Sequence, residues 1–359
     1  MKIAIDISQI VYGTGVSVYT EELVRNLLKL DSQNEYLFFA GTLRQRSYLK
    51  KFISTLSGRF SSKVVILPPT LADIIWNRLH ILPIEKLIGN VDVFHSSDWT
   101  QPPCSSFKVT TVHDLAPLRF PKLTPARIYN AHKERLEWAK KEVDRVIVPS
   151  EATKSELIEY GFSPEKIRVI PEAPGSIYFR RVEEEIEKIK TKYRIRNKYI
   201  LSVGVGQRKN TERLIKAFEL ARAGKDLKLV LIGRPQDKIG DGRNVFFLGH
   251  VPTSDKPALY SGAEALVYPS LYEGFGLPIL EAFSCGTPVV TSNTSSMIEV
   301  AGDAAVLVDP YEVESIADGI KKAVGAKVGL SKAGLKQAGK FSWEKTAQET
   351  LNVYLEAKK

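Results

Sequence analysis

Cysteine is nearly missing from this chain. Cys104 and Cys285 stand far apart among 359 residues and in no Cys-x-x-Cys spacing, which excludes a disulfide framework and a cysteine zinc site. Cys285, set among Ala282, Phe283 and Val289, reads as a core residue. Long apolar runs are missing too, so no segment is expected to span a bilayer. The opening Met-Lys-Ile-Ala-Ile-Asp reaches an acid at Asp6 and reads as a buried first strand, not a signal peptide; the expected compartment is the cytoplasm. Acids are the minority charge, 41 against 51 Lys and Arg, for a net +10. That balance suits an anionic ligand or an anionic membrane surface. It does not point to nucleic acid, because the basic residues are dispersed and no nucleic-acid motif accompanies them.

What is present, 43% hydrophobic and 26% charged residues, is the composition of a soluble globular protein. The length favours two domains over one core. β-rich runs alternate with helical patterns at Lys2–Ile7, Glu35–Ala40, Lys63–Leu67, Asp92–His95, Lys108–Val112, Arg145–Pro149 and Arg168–Ile170. A second series follows at Tyr199–Val203, Lys228–Ile232, Val245–Leu248, Ala265–Pro269, Pro288–Thr291 and Ala305–Val308. Alternation of this kind predicts two doubly wound α/β domains with parallel sheets. We expect the first over residues 1–175 and the second over 176–341. The stretch from Pro171 to Asn197 reads as the connection, the charged Glu183–Lys188 helix within it presenting a solvated face. Ser342 to Ala357 has an apolar stripe, Trp343, Ala347, Leu351 and Leu355, whose periodicity does not decide which domain it covers. Ligands of doubly wound domains lie outside the carboxyl ends of the strands, so chemical residues are sought just after strands.

The strongest such stretch is Ser270 to Val290. Strand Ala265–Pro269 runs into Gly274-Phe275-Gly276, and Pro278 stands where a helix would begin, its fixed φ suited to the first helical position. Two glycines and a helix N-terminus form an anion site. Glu273 and Glu281 bracket it, and carboxylates there would accept hydrogen bonds from hydroxyls flanking the anion. A phosphate between hydroxyl-bearing groups is the outline of a nucleotide-sugar. Arg208-Lys209-Asn210 follows the first strand of the second series, where two cations could neutralise a diphosphate; the alternative is an exposed basic loop. Gly13-Thr14-Gly15-Val16-Ser17 follows the first strand without the third glycine or the ribose-binding acid of a dinucleotide site, leaving a glycine turn that admits phosphate or sugar, or a purely structural turn. His113-Asp114 ends a strand and is a candidate. His95 reads as structural and Glu299 as a surface glutamate. No Asp-x-Asp pair occurs anywhere, so neither metal nor other cofactor is expected, and protein cations would meet the diphosphate charge.

Glu273-Gly274-Phe275-Gly276-Leu277-Pro278 with Glu281, Arg208-Lys209-Asn210, Val112-His113-Asp114 and the tail Phe341-Ser342-Trp343 together resemble the retaining glycosyltransferases of family 4. The likeness runs over nearly the whole chain and is most specific in the second half. Pro149-Ser150-Glu151 and Glu299-Val300-Ala301-Gly302-Asp303 resemble the branch with bacterial mannosyltransferases of polysaccharide synthesis. The resemblance implies the GT-B fold, two facing Rossmann-like domains with a cleft between them, with the C-terminal helix 342–359 crossing back to the first, acceptor domain. It implies that Glu281 holds ribose, Glu273 and His113 contact the hexose, Gly274, Phe275, Gly276 and Leu277 offer amides to sugar and diphosphate, Arg208 and Lys209 stabilise the leaving diphosphate, and Gly15 sits near diphosphate and acceptor. Val205 departs from the pattern, standing near the place where many members have an arginine.

The expected function is therefore transfer of a hexose, mannose by the branch resembled, from a nucleotide-diphosphate sugar such as GDP-mannose to a glycan or lipid-linked acceptor. Arg44, Arg46, Lys50 and Lys51 form a basic segment that could touch anionic lipid at the inner face of a membrane, or be a solvated helix face. Two rivals use the same residues: a glycoside hydrolase with Glu273 and Glu281 as acid and nucleophile, and a non-catalytic nucleotide-sugar sensor.

Overall fold

A computed structural model describes residues 1–222, 226–234 and 244–358. The chain divides into two compact units, Met1–Glu172 with Trp343–Lys359, and Ala173–Ser342. The first holds a sheet of β1 (Lys2–Asp6), β2 (Glu35–Thr42), β3 (Phe60–Ile66), β4 (Val93–Ser96), β5 (Phe107–Thr111), β6 (Arg145–Val148) and β7 (Ile167–Val169), in the order β3-β2-β1-β4-β5-β6-β7. The second holds β8 (Lys198–Val203), β9 (Leu227–Ile232), β10 (Val245–Gly249), β11 (Leu266–Tyr268), β12 (Val289–Ser292) and β13 (Val306–Val308), ordered β10-β9-β8-β11-β12-β13. Every run expected to be a strand is one, with ends moved by at most three residues. All strand pairs are parallel. Helices cover both faces of such a sheet, which is why Ile3, Ala4 and Ile5 of β1, and Ile200 and Leu201 of β8, are buried in unbroken succession.

In each sheet the strand order reverses once, between β1 and β4 in the first unit and between β8 and β11 in the second. Beside such a reversal the crossover connections leave in opposite directions, and a crevice opens above the strands' carboxyl ends. The chain following β1 and β4, and that following β8 and β11, is thereby placed to make a site.

Two expectations need correcting. The helix Glu183–Lys192 belongs to the second unit. Its glutamates are exposed, but Ile186 is buried, and a Cβ on Gly262 would come within 2.7 Å of the Ile186 side chain. Only the chain around Glu172 and Ala173 passes from one unit to the other there. The glycine-loop helix begins one residue early, as Leu277–Ser284 with Pro278 in its second position.

The C-terminal helix Trp343–Leu355 is part of the first unit and packs on the helix Gly15–Leu30. It buries Trp343, Ala347 and Leu351 of the expected stripe, with Tyr354 beside them. The Tyr354 hydroxyl lies 2.6 Å from His95 Nδ1, whose Nε2 is 2.9 Å from Thr111 Oγ1. Burial, then the charges of His113 and Arg135, push His95 down to about 3, so it is a neutral strut, in keeping with its structural reading. Glu356 completes the attachment by accepting from Arg145 at 2.5 Å and Arg168 at 2.9 Å.

Candidate active site

The loop from β8 to the helix Thr211–Arg222 has to turn sharply, and three features allow it. Gly204 and Gly206 take φ of +85° and +136°, a region costly for residues with a Cβ. A Cβ on Gly204 would meet Lys209 Cε at 2.8 Å, so glycine there makes room for the lysine's stem. Asn210, at φ +59°, is tied down by donating Nδ2 to the Pro269 and Pro310 carbonyls at 3.1 and 2.5 Å. Arg208 and Lys209 are thus carried on a fixed turn against the end of β11.

Glu273 meets both. Its Oε1 accepts from Lys209 Nζ at 2.5 Å and its Oε2 from Arg208 Nη1 at 3.1 Å. Arg208 Nη1 also donates to the Tyr272 carbonyl at 2.9 Å, and Lys209 Nζ to the Tyr268 hydroxyl at 2.6 Å while lying 4.8 Å from that ring's centre. Glu273 is buried. Burial alone would raise its pKa, but Lys209 and then Arg208 outweigh it and hold the carboxyl below its ordinary value. It is a carboxylate at neutral pH. The carboxylate thus meets two cations at once, one on each oxygen.

The loop 274–276 is shaped by contacts that motif spacing does not reveal. The Ser295 hydroxyl donates to the Glu273 carbonyl at 2.8 Å, and the Ser296 hydroxyl lies 2.8 Å from both the Glu273 and the Phe275 carbonyl, its one hydrogen shared between them. Gly276 caps the helix at φ +115°. Phe275 turns its ring into the core against Phe341, 6.0 Å between centroids, so only its backbone could meet a ligand. Pro278 has no N–H, and that of Ile279 donates to the Gly276 carbonyl at 2.9 Å. Neither Pro278 nor Ile279 therefore has an amide to spare for an anion. Glu281 stands apart from the Glu273 cluster, accepting from the Tyr260 hydroxyl at 2.6 Å. Val205 packs by its side chain beside Gly233, whose Cβ would meet it at 2.9 Å. Glu299 is exposed on the helix Ser296–Ala301.

In the first unit, His113 follows β5 with Nδ1 2.8 Å from Glu172 Oε1 and its ring edge-on to Tyr19, 4.6 Å between centroids. Nε2 is buried and has no hydrogen-bond partner among the described residues, as for a group kept for a ligand hydroxyl. Burial opposes the imidazolium, but the hydrogen bond and charge of Glu172, with Asp98 and Asp114 further away, overcome it and raise the pKa above the ordinary value. Gly13 takes φ +65°, whereas Gly15 opens the helix Gly15–Leu30 with open space where its Cβ would be. Ser17 Oγ accepts from the Thr14 N–H at 3.2 Å.

Sequence reasoning missed a cavity of about 410 Å³ in this unit, at the reversal of strand order. Asp6 at the end of β1 and Ser8 after it, and Ser97, Trp99 and Thr100 after β4, form part of its wall, with Tyr12, Asp73, Trp76 and Arg127 around them. Asp6 is buried, and despite bonds from the Ser8 N–H and hydroxyl its pKa rises to about 6. The only signal in the sequence was an acid following the apolar run Ile3-Ala4-Ile5.

The two parallel sheets agree with what the comparisons find. Residues 13–173 match the family described as Glycosyltransferase Family 4 and residues 183–338 that described as Glycosyl transferases group 1. The O-antigen chain mannosyltransferase B of Escherichia coli is 32% identical over 280 residues, 73% of this chain and 74% of that one. The serotype-specific mannosyltransferase WbdA of the same species is 32% identical over 225 residues, which are 57% of this chain but 28% of that much longer one. Among solved structures, Anabaena Alr3699/HepE in complex with UDP and glucose superposes with a TM-score of 0.73 at 18% identity, covering 99% of this chain and all of that one. The chain belongs to glycosyltransferase family 4, and it is a glycosyltransferase of the GT-B fold.

Proposed function

We propose that the chain is a retaining hexosyltransferase that moves mannose from GDP-mannose to a glycan or lipid-linked acceptor of a surface polysaccharide, working peripherally at the inner face of a membrane. The observation that carries this reading is the Glu273 carboxylate held between Arg208 and Lys209 at the end of β11. Fixed cations there would take up the charge that develops on the departing diphosphate, at no cost of reorganisation during the reaction. The acceptor oxygen forms its bond to the anomeric carbon on the face from which the diphosphate oxygen leaves, and that diphosphate takes the acceptor's proton. Glu273, each oxygen keeping lone pairs beyond its cation, binds hexose hydroxyls, and Glu281 the ribose. Gly274 to Leu277 offer amides, His113 Nε2 meets the hexose, and Gly15 lets diphosphate or acceptor approach the backbone. The cavity between Trp76, Trp99 and Asp6 takes the acceptor's terminal sugar, indole rings against its apolar face and carboxyls on its hydroxyls. No metal or other cofactor takes part.

Mannose is supported by the names of the two Escherichia coli relatives; the Anabaena neighbour, bound to UDP, makes UDP the base to test against GDP. A hydrolase reading is disfavoured because its acid needs a raised pKa, whereas that of Glu273 is lowered. Thermal unfolding with a panel of nucleoside diphosphates and their sugars tests the donor. At a hundred times its dissociation constant the true one stabilises by about 2.7 kcal/mol, and the reading predicts GDP and GDP-mannose in that place. No response to any member overturns the donor site. Binding without turnover on any acceptor favours the sensor, and an inverted product anomer, read by NMR coupling constants, overturns retention.

A further inference from the structure

Between Gly41 and Ala72 the chain carries Arg44, Arg46, Lys50, Lys51, Arg59 and Lys63 and not one Asp or Glu. All six cations are exposed, and among the described residues none is in an ion pair. The same segment presents apolar side chains to solvent: Leu43 is 51% exposed, Ile66 64% and Leu71 43%, with Ile74 at 42% just beyond. They lie close together in the fold. β2 pairs with β3 so that Thr42 faces Ile66, and the Leu67 N–H donates to the Thr42 carbonyl at 3.3 Å; the helix Arg46–Ile53 packs on β3, and the turn Pro69–Ala72 on β2. That turn and the residues after it are two-faced. Ala72, Asp73 and Trp76 line the cavity, while Leu71 and Ile74 face away from it into solvent.

We infer that this surface, at the carboxyl ends of β2 and β3, is where the protein rests on an anionic lipid bilayer. The occupant follows from charge and chemistry together: Leu43, Ile66, Leu71 and Ile74 enter the headgroup boundary, and Arg44 and Arg46 beside Leu43, with Lys50 and Lys51 further along the helix Arg46–Ile53, meet lipid phosphates; Arg59, before the amino end of β3, and Lys63, in its middle, add only longer-range charge. A purely electrostatic patch has no use for the apolar set, and a purely apolar partner none for the cations of the 44–51 segment beside it. Since the cavity is on the other face of the 72–76 wall, docking would bring an acceptor whose lipid stays in the bilayer within one wall's thickness of it. That last consequence rests on the proposed acceptor reading; the docking does not.

Sedimentation of the full chain with vesicles tests it. The wild type should pellet with phosphatidylcholine vesicles containing phosphatidylglycerol and remain in solution with phosphatidylcholine alone. Lys50→Glu with Lys51→Glu, and separately Leu71→Asp with Ile74→Asp, should each weaken partitioning at least about tenfold while keeping the wild-type melting temperature and nucleotide response. Failure of the wild type to pellet, or equal pelleting on both vesicles, overturns the inference. So does an apolar-face variant that pellets like the wild type, which would reduce the surface to a charge patch. If the wild type is instead a dimer in sedimentation equilibrium that the Leu71→Asp, Ile74→Asp variant returns to monomer, a second copy covers this face and the inference also fails. A transfer assay on a short-chain water-soluble acceptor separates the two readings: vesicle binding without transfer leaves docking standing and the acceptor reading lost.

Discussion

The two units use one topology for opposite chemistries. Above the reversal between β8 and β11 stands an ion cluster, Glu273 with Arg208 and Lys209, on a glycine-rich loop. Above the reversal between β1 and β4 stands a cavity with three aromatic rings in its wall, Tyr12, Trp76 and Trp99, and two buried acids, Asp6 and Asp73. In the second unit the neighbouring cations keep the carboxyl ionised despite burial; in the first, no cation offsets burial at Asp6, and its pKa climbs to about 6. A doubly wound sheet provides the place, and the residues after its strands decide whether that place suits a diphosphate or an uncharged ring.

Breaking the ion cluster should have the largest effect. Lys209→Ala leaves the buried Glu273 with Arg208 as its remaining ion-pair partner among the described residues, and transfer is expected to fall on the order of 10²–10³-fold; kcat within tenfold of wild type would refute the assigned role. Glu273→Gln should lower turnover comparably while nucleoside diphosphate binds more tightly, since the cations lose their competing anion; weaker diphosphate binding by calorimetry would show that the carboxylate instead organises the site. The contrast in pKa is sharpened by Asp6→Asn. With the folded pKa at about 6 against an ordinary value of 3.8, the native state retains a proton that the unfolded state releases between those pH values. The wild type therefore loses stability as pH rises through that window, by roughly 3 kcal/mol in all, and the variant should show a flatter profile there in denaturant titrations. His113 works on the same sign: its raised pKa gives stability present below about pH 6.5 and lost as pH rises through the folded value, a slope that His113→Gln should abolish.

The glycines give the smallest and cleanest contrast. Gly276→Ala forces a Cβ into φ +115° and to 3.2 Å from Ile279 Cδ1, expected to cost about 1–3 kcal/mol and lower the melting temperature. Gly15→Ala meets nothing within 4 Å and should melt like the wild type. If its affinity for donor and acceptor also stays unchanged, no ligand approaches that backbone, and Gly15 leaves the site.

The sequence by itself determined the two parallel sheets, because strands buried on both faces must be written as unbroken apolar runs and crossover helices must separate them. It also marked the Glu273 loop and the Arg208-Lys209 turn, whose glycines and charges are local requirements of chain geometry. Only the tertiary structure decided what these residues touch. That Arg208 and Lys209 share Glu273, that Ser295 and Ser296 hold the loop carbonyls, that Glu172 is the partner of His113, and that Asp6, Trp76 and Trp99 wall one cavity are contacts between segments far apart in the chain. Periodicity reports which face of an element is buried, but not which neighbour buries it. For the same reason the C-terminal stripe was legible as a stripe, and its place in the first unit was settled only by packing on the helix Gly15–Leu30 and by Tyr354 reaching His95.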